Sequence, residues 1–388
     1  MIIQHFHGAA SDEAGGQANE GRGKLTLVPT ESAKAPVYRL ACRDLLGPPA
    51  SEQELLAHII GTINRAGSTF SHALIVNYYV SLKTNPFVIL TGAEGRGKTD
   101  LARLFAEALV GHESRQYTLI PGGSAWPSGT GEDGYYRSLQ ERFSSWRFVE
   151  LLQEAADPCD AGKAYLICFD ALHPGELEYY FATLLRVTPE GEKRLNLPGF
   201  PPERQPTVPP NVYITATVDT AEHKHELSRN VLCHAGMIEF RATQQPHRAA
   251  PAAWAAQPPV GYQRLWLDAS LHDVEAARAR LVAILGHDQV GRLRCSPDLS
   301  RLLWRGGLAL TRQTLHELTL YIANSFDEHG RGLFDASDPQ RNAQIAFDAQ
   351  VVQRVLWRLR ESADDDLRRD LADYLDQTAL AAAQQAVA

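Results

Sequence analysis

Short apolar runs and amphipathic stripes alternate along most of this chain. Leu55, Leu56, Ile59, Ile60 and Ile63 recur at helical spacing from Glu52 onward, and Ala73, Leu74, Val76 and Tyr79 begin a second stripe. Val88-Ile89-Leu90 follows, too short for a helix and suited to a strand buried on both faces. Leu101, Leu104, Phe105, Ala108 and Leu109 then form one helical face. Further strands are expected at Tyr117 to Ile120, Ala164 to Asp170, Asn211 to Asp219 and Met237 to Phe240. Helices are expected from Phe143 to Ala155, over Leu177 to Leu185, and from Glu222 to Leu232. Pro189 to Pro210 interrupts this order as a Pro-rich excursion, read as a hairpin or surface loop. Residues 242–260 are rich in Pro and Ala and read as a linker. From Val274 nearly everything is helical, and Thr314 to Glu317 reads as a capping box. Val351, Val352, Val355, Leu356 and Leu359 make a late stripe. Strands alternating with helices imply an α/β fold, a parallel sheet sandwiched by helices, and the trailing part an α-helical lid. The expected organisation is an N-terminal extension over 1–50, a core over 51–245, a linker over 246–262 and a helical domain over 263–388.

The first 36 residues fit this pattern poorly. MIIQHFH and Leu25 to Val28 are apolar pieces able to pair as a small hairpin around a polar, Gly-rich middle. His5 and His7, and the later His223, His225 and His234, lack the cysteine or carboxylate spacing of a metal site.

The chemistry begins where the first buried strand ends. Gly92-Ala93-Glu94-Gly95-Arg96-Gly97-Lys98-Thr99 fits G-x-x-x-x-G-K-[ST], between a strand and a helix as the phosphate-binding loop requires. Gly92, Gly95 and Gly97 let the backbone turn its N–H groups around a phosphate. Lys98 is expected to reach the β/γ-phosphates and the Thr99 hydroxyl to ligate Mg²⁺. Asp170, ending a later buried strand, is the expected second holder of Mg²⁺; the plain alternative is a helix cap. The expected cofactor is therefore Mg²⁺ with ATP or GTP. In the Gly-rich loop after Pro121, Trp126 and Tyr135 either touch a threaded polymer or fix the loop.

Composition adds exclusions. The chain of 388 residues is 44% apolar and 22% charged, an ordinary globular balance. It contains no apolar run of membrane-spanning length, and its start lacks the features of a secretion signal. Its five cysteines include no C-x-x-C pair, which fits free thiols and a cytoplasmic protein. The formal net charge of −8 argues against an overall nucleic-acid-binding surface while leaving room for a local basic patch.

Four segments resemble the McrB-like AAA+ proteins of prokaryotic restriction systems. They are FSHALIVNYYVSLKTNPFVILTGAEGRGKT at 70–99, FDALHPGELEYYFATLLRV at 169–187, VPPNVYITATVDTAEHKHELSRNVLCHAGMIEF at 208–240, and AFDAQVVQRVLWRLR at 346–360. The resemblance spans roughly residues 52 to 375. It implies a P-loop AAA+ core with a helical lid, and ring or heteromeric assembly with other AAA+ subunits. It also implies a nuclease or effector partner, a role in defence, and DNA reached through the assembly; no membrane partner is expected, from the lack of a membrane-spanning apolar run.

The departures from that pattern bear on catalysis. Ala171 stands where the family has a water-polarising Glu, and His173 where it has Asn. Asp219 replaces the sensor Asn, and Cys233-His234 replaces an Asp-Arg pair. The groups that hold nucleotide are present, while those that hydrolyse it are altered. Asp219 and Arg229 are the candidates to restore catalysis, Arg229 as an arginine reaching a neighbouring subunit. Arg312 is the candidate lid arginine for the γ-phosphate, or else a surface ion-pair former. The expected protein is a nucleotide-binding, hydrolysis-deficient subunit; the alternative is an active motor powering a nuclease. A small-molecule kinase fits less well, because its lid is normally inserted within the core.

Overall fold

In the computed structural model the chain divides into two compact units, Met1–Gly47 and Pro48–Ala388. The structure describes residues 27–29, 38–40, 51–68, 70–122, 148–172, 186–187, 193–194, 207–219, 231, 235–240, 260–294, 301–302, 304–305, 312–356, 366–367, 369–370 and 373. In the first unit, β1 (Leu27–Pro29) pairs antiparallel with β2 (Tyr38–Leu40). The N-terminal apolar piece expected to pair with Leu25 to Val28 lies outside the described residues. A three-residue strand needs a nearby partner to limit loop-closure cost, and Tyr38–Leu40 lies close in sequence.

The second unit is built on a five-stranded, fully parallel sheet. Its strands are β3 (Phe87–Gly92), β4 (Tyr117–Pro121), β5 (Tyr165–Asp170), β8 (Val212–Asp219) and β9 (Gly236–Phe240), arranged β4-β5-β8-β3-β9. Alternate residues serve opposite faces. Val88 and Leu90 of β3, and Leu166 and Cys168 of β5, join one buried cluster. Phe87 and Ile89, with Tyr165, Ile167 and Phe169, join another. Both faces are apolar, which is why the strands read as unbroken hydrophobic runs.

The first face is covered by α1 (Glu52–Arg65), α2 (His72–Thr84) and α3 (Lys98–Val110). Ser51 and Glu54 cap α1 reciprocally. The second face is covered by α4 (Phe148–Ala156), through Phe148, Leu151 and Leu152. Within the Pro-rich excursion, β6 (Arg186–Val187) pairs antiparallel with β7 (Lys193–Arg194), a small hairpin.

The helices after residue 259 belong to the first face. They are α5 (Val260–Ala269), α6 (Val274–Leu285), α7 (His287–Arg294), α8 (Arg312–Asn324) and α9 (Pro339–Gln350), which continues as a π-helical turn over Val351–Leu356. Trp266 of α5 is fully buried and stacks on Tyr213 of β8 with ring centroids 4.2 Å apart. Phe105 of α3 meets the same indole edge-on. Ala277, Leu281, Tyr321, Ile322 and Phe347 continue this cluster, so the late helices share one core with α1–α3. The expected linker lies outside the described residues except at 260–262, which begin α5. Thr314 is not a cap: α8 starts two residues earlier and Thr314 is buried within it. Thr and Glu three apart share a helix face wherever they fall, so the spacing alone could not mark the terminus.

A buried ion pair locks α2 to both α1 and α8. Lys83 and Glu52 are each fully buried and paired, Tyr79 donates its hydroxyl to Glu52 at 2.9 Å, and Lys83 Nζ also donates to the Asn324 carbonyl at 3.1 Å. Burial pulls the Lys83 pKa below the usual lysine range, opposed by Glu52.

Candidate phosphate-binding site

The strand order places the site. The chain leaves β3 toward the β4 edge, whereas it leaves the adjacent β8 toward β9, on the other side of β3. Neighbouring strands that send their connections in opposite directions open a crevice at their carboxyl ends. There the pairing register sets Gly92 beside Asp219 on one side and Phe240 on the other, and Pro121 beside Asp170.

Gly92 ends β3 with φ +138°, and a Cβ there would lie 2.5 Å from the Phe240 carbonyl oxygen. Only glycine tolerates both conditions. Gly95 and Gly97 have φ of +72° and +83°, so the loop turns left-handed twice before α3 starts. Gly97 is the N-cap of α3 and offers no side-chain cap. The helix N-terminus carries a partial positive charge that suits an anion. Lys98 and Thr99 are the first two residues of α3.

These groups line an open cleft of about 540 Å³. Its wall comprises the loop from Glu94 to Gly97 and the first turn of α3 through Asp100, then Asp170, Ala171, Thr217, Asp219 and, from the α1–α2 connection, Ser68. Lys98 is only 8% exposed, and its Nζ donates to the Gly92 and Ala93 carbonyls at 2.6 and 2.8 Å. Burial pulls its pKa below the usual lysine range; Asp219, Asp170 and Glu94 oppose this, in that order. Thr99 donates its hydroxyl to Asp170 Oδ1, and Thr217 donates to the same oxygen at 2.8 Å. Thr217 in turn accepts the Ala171 N–H at 2.8 Å. Divalent magnesium favours oxygen ligands, and a hydroxyl and a carboxylate already in contact form a donor set that fits it.

Seven of the sequence-derived residues therefore converge: Gly92, Gly95, Gly97, Lys98 and Thr99 on one chain segment, Asp170 at the end of β5, and Asp219 at the end of β8. Arg312 does not join them. It is exposed at the start of α8, where it donates to His316 at 3.4 Å, and it is not among the residues lining the cleft. Arg229, His173, Cys233 and His234, the histidines at 5, 7, 223 and 225, and Trp126 and Tyr135 all lie outside the described residues. Ala171 directly follows Asp170 and lines the cleft with a methyl group, in a left-handed conformation at φ +50°.

Thr217 and Gly122 were not read from sequence. Thr217 is fixed by alternation: two residues before Asp219, it shares a face of β8 with it, one strand over from Asp170. A polar residue two before a strand-ending carboxylate is the signal that could have found it. Gly122 donates its N–H to the Asp170 carbonyl at 2.5 Å, and a Cβ there would collide with the Asp170 and Ala171 backbone. Nothing in the local sequence marks that close approach.

No family model matches this chain, and no curated protein matches it.

Proposed function

We propose that this chain binds Mg²⁺ with ATP or GTP as an AAA+ subunit of the McrB-like type, with a helical lid and little or no hydrolysis of its own. The observation that carries the reading is the junction of β3 and α3. A three-glycine loop, Lys98 and an uncapped helix N-terminus face Asp170, whose carboxylate already accepts the Thr99 hydroxyl. That arrangement supplies N–H groups and a cation for phosphate, and oxygen donors for magnesium. Weak hydrolysis follows from Ala171, since a methyl group cannot orient or deprotonate water. Bound nucleotide then acts as a structural ligand, favouring the conformation that binds it. Assembly into a ring or heteromer, a nuclease or effector partner, a place in prokaryotic defence and access to DNA through the assembly rest on the sequence resemblance, and a cytoplasmic location on the cysteine pattern. Among the described residues no helix is long and apolar enough to cross a membrane.

A second reading, an active motor, draws on Asp219. This carboxylate also lines the cleft, one strand away from the position of the missing glutamate. Binding and turnover of ATP and GTP on the same purified sample separate the two. Tight Mg-nucleotide binding without turnover, lost in Lys98→Ala, is the expected result. Turnover that Lys98→Ala abolishes would replace it with the motor.

A further inference from the structure

Carboxylates outnumber cations in the lining of this cleft. Its lining includes four carboxylates, Glu94, Asp100, Asp170 and Asp219, against two cations, Arg96 and Lys98. The carboxylates are not equivalent. Asp100 pairs with Arg103 of its own helix at 3.3 Å. Asp170 accepts the Thr99 and Thr217 hydroxyls. Asp219 sits beside Gly92, whose carbonyl accepts from Lys98, and it exerts the largest charge effect on that lysine.

We propose that Asp219 makes this cleft selective for metal-complexed polyphosphate over the metal-free anion. The inference rests on the nucleotide reading above and specifies which form of the ligand the site accepts. Polyphosphate without a divalent cation brings several negative charges toward Asp219, at a cleft where fixed carboxylates outnumber fixed cations. Lys98, whose Nζ meets the Gly92 and Ala93 carbonyls, already lies in the field of Asp219 and so offsets less of the added charge. Magnesium held by Thr99 and Asp170 offsets two of those charges, and the lysine then faces an anion that the cleft tolerates. A neutral residue at 219 would remove the discrimination. One unit of charge acting across a few ångströms at an effective dielectric of about 20 is large enough to change affinity by about tenfold or more.

Isothermal titration of the full chain with ATP and with GTP, in excess Mg²⁺ and in EDTA, tests this. The native chain should bind the magnesium complex at least about tenfold more tightly than the metal-free nucleotide. Asp219→Asn should narrow that ratio by about tenfold, chiefly by gaining metal-free affinity, and Asp219→Ser, a second neutral replacement, should do the same. Asp219→Glu, which keeps the charge, and Asp268→Asn, which removes a carboxylate paired to Arg264 and not among the lining residues, should leave the ratio near native. Far-ultraviolet circular dichroism confirms that each variant compared is folded. If native protein binds Mg-nucleotide and both neutral variants keep the native ratio, the role of Asp219 is overturned while the nucleotide reading stands. If native protein binds neither nucleotide with magnesium, both readings fall.

Discussion

Ala171 and Gly92 show what single residues contribute to this cleft, and they do so in opposite directions. Ala171 holds φ +50° immediately after Asp170. A left-handed conformation costs an ordinary L-residue about 1–2 kcal/mol. The fold accepts that cost while the Ala171 N–H bonds Thr217 and the following Leu172 N–H bonds the Thr217 carbonyl at 2.9 Å. Removing the Cβ should relieve the strain, less the entropy glycine loses on folding. Ala171→Gly is therefore expected to stabilise the protein by about 0.5–1 kcal/mol in urea unfolding. Gly92→Ala should destabilise it by several times as much, about 3 kcal/mol or more, because both its backbone angle and the Phe240 carbonyl exclude a Cβ. Equal stabilities for the two variants would mean that neither backbone conformation is under strain. The eight-residue motif made Gly92, Lys98 and Thr99 legible, because phosphate chemistry dictates residue types at fixed spacing. Thr217, Gly122 and the backbone of Ala171 were not legible. Their roles arise from pairing between β4, β5 and β8, strands separated by dozens of residues, and no local pattern encodes which strands become neighbours.

At the scale of elements, the parallel strands could be read because each is buried on both faces, and the helices because their stripes face a single core. The buried pair between α1 and α2 could not be read, since a Lys and a Glu 31 residues apart look like two solvated charges. Its energetics lead to a specific expectation. Desolvating both ions offsets most of their attraction, so the pair itself contributes little net stability. Removing only one partner leaves the other buried without its counter-charge. Lys83→Met should therefore cost about 3–5 kcal/mol, with Glu52 left beside the Tyr79 hydroxyl. The double variant Glu52→Leu/Lys83→Met should recover most of that loss, since apolar side chains of similar volume fill the same space. A double-mutant cycle by chemical denaturation reads the difference. A double variant as unstable as the sum of the singles would show that the pair's worth lies in its other bonds, to Tyr79 and the Asn324 carbonyl.

For the unit spanning Pro48–Ala388, the question is whether the late helices behave as an independent lid. Their contacts argue for shared cooperativity. Trp266 stacks on a sheet residue, Tyr321 donates to Asn77 of α2 at 2.6 Å, and Asn324 both donates to Thr84 at 3.3 Å and accepts from Lys83 through its carbonyl. Helices attached through one buried cluster cannot unfold without exposing the face of the sheet beneath them. Thermal melting followed by far-ultraviolet dichroism should thus give one main transition for this unit, coincident with that seen by tryptophan fluorescence. The cleft adds a second test. A ligand that binds only the folded state at 100 times its dissociation constant contributes about 2.7 kcal/mol. In a cooperative unit of this size that displaces the whole transition upward by several degrees. Mg-nucleotide should move both signals together, and Lys98→Ala should abolish the displacement while leaving the transition single. If the nucleotide shifts only an early-melting fraction and the remaining helical signal melts unchanged, the late helices form an independent domain despite the core they share.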